Sequence, residues 1–316
     1  MSGALVLAGV QERLAPLQAW LFPRRVLLEL GDQAITALAL RHGQVVWLER
    51  IPLPEGLCQR GVPQQPEALG DLIGDLLIER GWALAHVRAL LPAAASHCRL
   101  VEWPDGQWPA DPEAVLLERQ EQLALPVPLQ EVDLRLVPLA LERPTSLLVA
   151  VPADLLEAWI AVFTTAGVAL DGLEAASLCL CRGLEPLLRD APGHQLTALV
   201  ELGAQASQLL LVRQGLPVYE RRWPAALEPA ALAAQIRQCL SFWRQQDPGA
   251  AGLQVLLHGS RAAAPGWAEA LETPVLVVDP LALGWWQPEQ APPSSAAPAG
   301  VELLGLWGLA LAEPSR

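Results

Sequence analysis

The spacing of apolar residues changes along the chain, and each change marks a strand or a helix. Val26 to Leu30 reads as an apolar run, Ile35 to Leu40 follows a turn at Gly31, and Val45 to Ile51 follows a second turn at His42-Gly43. Short apolar runs bounded by glycine predict strands. The same three-strand unit returns as Leu196 to Leu202, Ser207 to Val212 and Pro217 to Trp223, turning at Gln214-Gly215. Helical spacing appears from Glu67 to Arg80, where Leu69, Leu72, Ile73, Leu76 and Leu77 share a face and Gly81 stops the run. It appears again from Asp154 to Ala166 with Asp154 as a cap, from Glu174 to Arg189, and from Glu228 to Gln246. Leu253 to Leu257 predicts a buried strand ending at His258-Gly259, Val275 to Val278 another strand, and Leu303 to Leu311 a short closing helix.

The first three-strand unit and its return are copies. Glu29-Leu30-Gly31-Asp32-Gln33-Ala34 matches Glu201-Leu202-Gly203-Ala204-Gln205-Ala206 at an offset of 201 − 29 = 172, and no gap is needed through Arg41/Arg213, Arg50/Arg222 and Pro52/Pro224. So long a period excludes a solenoid and predicts two related lobes facing each other across a cleft. The predicted organisation is a helical N-terminal extension (1–25), a first lobe (26–173) and a second lobe (174–316). The first lobe carries an inserted subdomain at about 86–152, with strands at Val87 to Leu91 and Cys98 to Trp103, a helix from Glu113 to Leu125, and two strands flanking Arg143-Pro144. Residues 287–300, rich in Pro, Ala and Ser, predict a flexible loop. The extension carries one apolar stripe: Val10, Leu14, Leu17 and Leu21.

Composition narrows the function classes. The 316 residues are 52% hydrophobic and 17% charged, enough apolar content for two cores and too little charge for long disordered runs. The net charge of −13, with no basic run longer than Arg24-Arg25 or Arg221-Arg222, argues against nucleic acid and against an anionic membrane surface. The chain has no lysine, so neither a P-loop lysine nor a Schiff-base lysine exists. Its five cysteines form no CxxC and suggest a reducing compartment. No run of apolar residues long enough to span a bilayer is expected.

Paired strand-turn-strand units, a third glycine turn at Gly259-Ser260-Arg261, and helices behind them resemble the actin and hexokinase superfamily. Within it the chain resembles the type IV pilus assembly protein PilM family, over nearly its whole length from Val26. The residues that carry the resemblance are Glu29-Leu30-Gly31, where the family has Asp-Ile-Gly, then Ala89-Leu90-Leu91-Pro92, and Arg99 through Pro104. They continue with Glu118-Arg119-Gln120-Glu121, Leu125-Pro126-Val127-Pro128, Ala166-Gly167 with Glu174, and Gly308-Leu309-Ala310.

The resemblance implies an α/β, actin-like (ribonuclease H-like) duplicated two-lobe fold and a cleft for ATP and Mg. The implied nucleotide residues are Glu29, Gly31, Asp32, Gln33 and Thr36 in the first turn, with Glu174 between the lobes. Glu201, Gly203, Ala204, Gln205 and Ser207 form the second turn and Gly259, Ser260 and Arg261 the third, with Glu29 and Glu201 nearest the metal. Glycine turns expose backbone N–H groups to phosphate, which is why such loops hold nucleotides. Glutamate in place of aspartate at 29, 174 and 201, and the negative charge of Asp32, predict weakened magnesium and phosphate binding and no efficient catalysis. The resemblance also implies a pseudo-enzyme scaffold of the pilus assembly platform, serving twitching motility. It would lie in the cytoplasm, peripheral to the inner membrane, and bind the N-terminal peptide of a PilN-like membrane protein beside platform and motor proteins. The expected peptide groove lies at Arg99, Val101, Trp103 and Pro104 and the 113–125 helix, although the Trp103 to Trp108 stretch also reads as an exposed loop. Alternatives are an active ATPase or small-molecule kinase, and an actin-type filament. His258 reads as a structural core histidine.

Overall fold

Val26, Leu27 and Leu28 are buried on both sides of a central strand, and Ala198, Leu199 and Val200 repeat that pattern 172 residues later. Strands covered on both faces read as continuous apolar runs. The computed structural model describes residues 24–41, 44–189, 192, 195–204, 206–224, 226–250, 252–285 and 298–312. The predicted N-terminal helix, the turn at 42–43, Gln205 and most of the 287–300 loop lie outside the described residues.

The first lobe is a five-stranded sheet built from β1 (Arg25–Leu30), β2 (Ala34–Arg41), β3 (Gln44–Pro52), β6 (His86–Leu91) and β10 (Ala169–Ala175). Its order is β3-β2-β1-β6-β10, antiparallel across the first three strands and parallel beyond. A short hairpin, β4 (Cys58–Gln59) and β5 (Val62–Pro63), follows β3. The second lobe repeats the plan with β11 (Thr197–Leu202), β12 (Ala206–Arg213), β13 (Leu216–Pro224), β14 (Gln254–His258) and β15 (Val275–Val277), in the order β13-β12-β11-β14-β15. The duplication read in the sequence is therefore a duplication of sheet topology.

One face of the first sheet is covered by α1 (Pro66–Glu79) and α4 (Ala153–Thr165), through Leu69, Ile73, Leu77, Trp159, Val162 and Phe163. α1 approaches α4 so closely that a Cβ on Gly70 would lie 2.6 Å from the Val162 carbonyl oxygen. The second sheet is covered by α7 (Pro229–Gln246) through Leu232, Ile236 and Leu240, with α8 (Trp267–Ala270) beside it. The other faces meet at α5 (Ala176–Gly183), its short continuation α6 (Glu185–Leu188), and α9 (Leu304–Ala310). Leu303, Leu306 and Leu309 pack under the first sheet, while Leu304 packs under the second with Leu180 and Leu184. The closing helix therefore binds both lobes. Gly308 permits this crossing, since a Cβ there would fall 1.8 Å from the carbonyl oxygen of Cys179.

The insert is a three-stranded antiparallel sheet, β7 (His97–Glu102), β8 (Val132–Leu139) and β9 (Thr145–Pro152), in the order β7-β9-β8. α2 (Pro112–Glu118) and α3 (Gln120–Leu123) cover it over a core of Val101, Trp103, Leu116, Leu123, Leu129 and Leu148.

Four local expectations are corrected. Glu174 does not open a helix: it lies in β10, whose alternation is interrupted by a register shift between Leu170 and Gly172. The 113–125 helix is broken at Arg119, where the backbone leaves helical geometry, and it ends at Ala124 in the left-handed region. Asp154 is not a cap. The helix begins at Ala153 after Pro152, and the Asp154 carboxylate accepts from the adjacent Leu155 N–H. Trp103 is not exposed: it is 3% accessible and donates to Ser146 Oγ, while Trp108 remains 46% accessible.

Candidate functional site

The duplicated strands carry one charged residue each in otherwise apolar centres, Glu29 on β1 and Glu201 on β11. Pairing registers extend each into a row. Glu29 lies opposite Thr36 on β2, and Thr36 opposite Arg50 on β3. Glu201 lies opposite Gln208 on β12, and Gln208 opposite Arg222 on β13. Residues paired this way share a face, so each lobe turns the same acid–polar–arginine row toward its surroundings. The gapless repeat contained Arg50 and Arg222, a signal that could have pointed to their part in the site.

Glu29 lies within the field of Glu201 and of Glu302, the residue two before α9. Burial, then these two carboxylates, push its pKa up to about 8 from an ordinary 4.5, with Arg50 opposing. Arg50 donates to Glu302 at 2.6 Å, so its charge is shared. Gly305 of the closing helix lies beside Leu90 and Glu29, since a Cβ there would press on Leu90 Cδ2 at 2.8 Å and touch Glu29 Oε1 at an ordinary 3.7 Å. Carboxylates from two lobes and the closing segment thus bear on Glu29, with Arg50 paired to Glu302 and Arg222 in the field of Glu201. His258, next to Glu201 in register, is buried, and that burial lowers its pKa against the opposing charge of Glu201.

The turns are tight. Gly31 N–H donates to Ala34 C=O at 3.1 Å, and a Cβ on Gly31 or on Gly203 would stand 2.9 Å from the carbonyl of the residue three ahead. Gly259 has φ +98°, and a Cβ there would lie 2.8 Å from the Leu202 carbonyl, so glycine is required where the third turn meets the end of β11. Arg261 does not stand free beside an open pocket: its Nη2 donates to Ser207 Oγ at 2.7 Å and its N–H to Leu202 C=O at 2.9 Å. Gln33, Ala204 and Ser260 are exposed at the turns.

Two expected site residues are committed elsewhere. The Asp32 carboxylate turns back to the β4–β5 hairpin, accepting from the N–H groups of Arg60 and Gly61, both at 2.7 Å. Those two donors hold its carboxylate toward the hairpin. Glu174 accepts from Arg88 through one oxygen and from Arg182 at 2.9 Å through the other. Arg182 also donates to Gly308 C=O, so this cluster fastens β10, α5 and α9 together.

Side chains alone build no magnesium cage among the described residues. That ion is usually held by one or two carboxylates together with waters and substrate phosphates, a role that would fall to Glu29 and Glu201. Among the described residues no group of three His, Cys, Asp or Glu side chains converges to hold a metal. The Glu302 carboxylate already holds Arg50, and Glu174 holds two arginines.

On the insert, β7 pairs with β9 within the sheet and packs against β13 of the second lobe, where Arg99 meets Glu220. Beside β7 lies a groove of about 140 Å³ lined by Leu100, Val101, Trp103, Leu116, Arg119 and Leu123. Of the residues expected to line a peptide site, Val101 and Trp103 form its floor, Pro104 is exposed, and Arg99 instead reaches Leu123 C=O and Glu220. A larger cavity of about 600 Å³ lies where the insert meets α5, α6 and the second lobe, lined in part by Val137, Leu147, Leu178, Leu188 and Val212.

No family model and no curated protein matches the sequence. Solved structures do match in fold. A PilM-PilN type IV pilus biogenesis complex aligns with a TM-score of 0.73 at 20% identity, over 91% of this chain and 97% of that one. A Bacteroides thetaiotaomicron protein of actin-like ATPase fold and unknown function aligns at 0.52 with 8% identity, over 92% and 96%. The chain has the actin-like, duplicated two-lobe fold.

Proposed function

We propose that the chain is a PilM-like scaffold of a type IV pilus assembly platform, which binds the N-terminal cytoplasmic peptide of a PilN-like membrane protein. The observation that carries this reading is the fold alignment to the PilM-PilN complex, which spans 91% of this chain and 97% of that one. The groove beside β7, walled by Leu100, Val101 and Leu116 with Arg119 at its side, supports it, because an extended peptide can lie along a strand and place side chains in such a pocket. The protein would then sit at the inner face of the membrane through its partner. Among the described residues no helix is long and apolar enough to cross a membrane.

The cleft supports a scaffold over an efficient ATPase or kinase. Phosphate would meet the carboxylates of Glu29, Glu201 and Glu302, Arg50 is already held by Glu302, and Asp32 and Glu174 hold other partners. Calorimetry with a synthetic peptide of the PilN-like protein is the test. Binding that Arg119→Glu or Leu100→Glu weakens at least about tenfold is expected, since either change puts an acid at the groove. No binding, with or without Mg·ATP, would overturn the proposal. Steady ATP turnover abolished by Glu201→Ala would favour the enzyme reading instead.

A further inference from the structure

Glu220, on β13, is a buried carboxylate that joins the insert to the second lobe. Its side chain is 5% exposed and accepts from Arg99 Nη1 at 3.0 Å and Ser177 Oγ at 3.0 Å. Arg222 Nη2 lies at 3.4 Å and His97 Nδ1 at 3.6 Å. These partners come from β7, from the interlobe helix α5 and from its own strand. Burial by itself would raise its pKa. The bond from His97 and the charges of Arg222 and Arg99 outweigh that, and hold the carboxyl below its ordinary range.

Both arginines reach further. Arg99 Nε donates to the carbonyl of Leu123, the last residue of α3 and part of the groove wall. Arg222 donates to Ser96 C=O at the entrance of the insert and to Gln208 Oε1 at 3.3 Å. Gln208 also donates to Ser177 Oγ, and it is the register partner of Glu201 in the cleft. Polar contacts therefore run without a gap from Leu123 through Arg99, Glu220 and Arg222 to Gln208, between the groove on the insert and the acid row of the second lobe.

We infer that this run of contacts is a coupling device: displacing the groove wall re-pairs Glu220, and the re-pairing moves Arg222 and Gln208 beside the cleft. Glu220 would be the element with two arrangements: the observed one, in which it contacts Arg99 and Arg222 together, and one in which Arg99 is released and Arg222 remains. Coupling between sites needs such an element, and any coupling free energy acts equally in both directions. The inference does not depend on what occupies the groove.

Hydrogen–deuterium exchange on the full chain without ligand tests it. Arg99→Ala should speed exchange in 199–203 and 206–208 by about tenfold, the scale of one charge-assisted hydrogen bond. Gln208→Ala should speed exchange in 120–123 by a similar factor. Glu220→Gln should reproduce both effects. Arg143→Ala, which removes an exposed pair with Glu102 elsewhere on the insert, should leave the cleft unchanged. The inference is overturned if Arg99→Ala changes only 97–103 and 116–123 while 199–208 exchanges as in the parent. It is equally overturned if only one direction of effect is seen. Should Glu220→Gln fail to fold, the Arg99 and Gln208 variants decide the matter.

Discussion

Glu29→Gln should leave stability unchanged below about pH 4.5 and make the protein increasingly more stable than the parent as pH rises from there to about 8. Folding raises this carboxyl from about 4.5 to about 8, through burial first and the charges of Glu201 and Glu302 next. Below pH 4.5 both folded and unfolded chains hold the proton, and the group's contribution is fully present. Between 4.5 and 8 the unfolded chain releases a proton that the folded chain keeps, and each pH unit takes about 1.4 kcal/mol from stability. A shift of roughly 3.5 units gives an upper bound of about 5 kcal/mol. The side chain still opens partly to the cleft, and solvent screening reduces the cost to on the order of 2 kcal/mol. Glutamine keeps the shape and has no proton to lose. Urea unfolding followed by tryptophan fluorescence, at about pH 4.5, 7 and 9, should show the variant matching the parent in acid and gaining about 2 kcal/mol by pH 9. Parallel curves across that range would refute the reasoning, because Glu29 would then titrate alike in both states.

Other substitutions test other parts of the framework. Gly308→Ala puts a Cβ 1.8 Å from a backbone oxygen of α5, and thermal unfolding should show a loss of at least about 3 kcal/mol as α5 and α9 are forced apart. Asp32→Ala removes the acceptor of two short N–H bonds and should cost about 2 kcal/mol in denaturant unfolding. Because that carboxylate faces the hairpin, the same change should leave ATP affinity, measured by calorimetry, where it was. Glu174→Gln leaves Arg88 and Arg182 without their shared anion and should cost about 3 kcal/mol by the same unfolding assay.

The repeat made the two sheets readable, because matching glycines and matching apolar runs fix both strand edges and turns. Arg50 and Arg222 stood in the repeat at matching positions, but their place in the cleft rows emerged only from the strand registers. β10 was less legible: its alternation slips between Leu170 and Gly172, and its acidic end reads equally well as a helix start. The partners of Asp32, Glu174 and Glu220 were invisible for another reason. Each lies many residues away in the chain, and only folding brings Gly61, Arg88 and Arg99 to them. Trp103 misled because proline-flanked tryptophans suggest a loop, yet its ring is the floor of the insert's core.

The account rests on Glu29 and Glu201 facing each other from opposite lobes. Carbon-13 NMR titration of the Glu29 carboxyl, in the parent and in Glu201→Gln, measures this directly. The account predicts a midpoint near 8 in the parent that falls toward 4.5 when the second carboxylate is removed, with burial and Glu302 keeping part of the shift. A Glu29 midpoint that is the same in both proteins would contradict it.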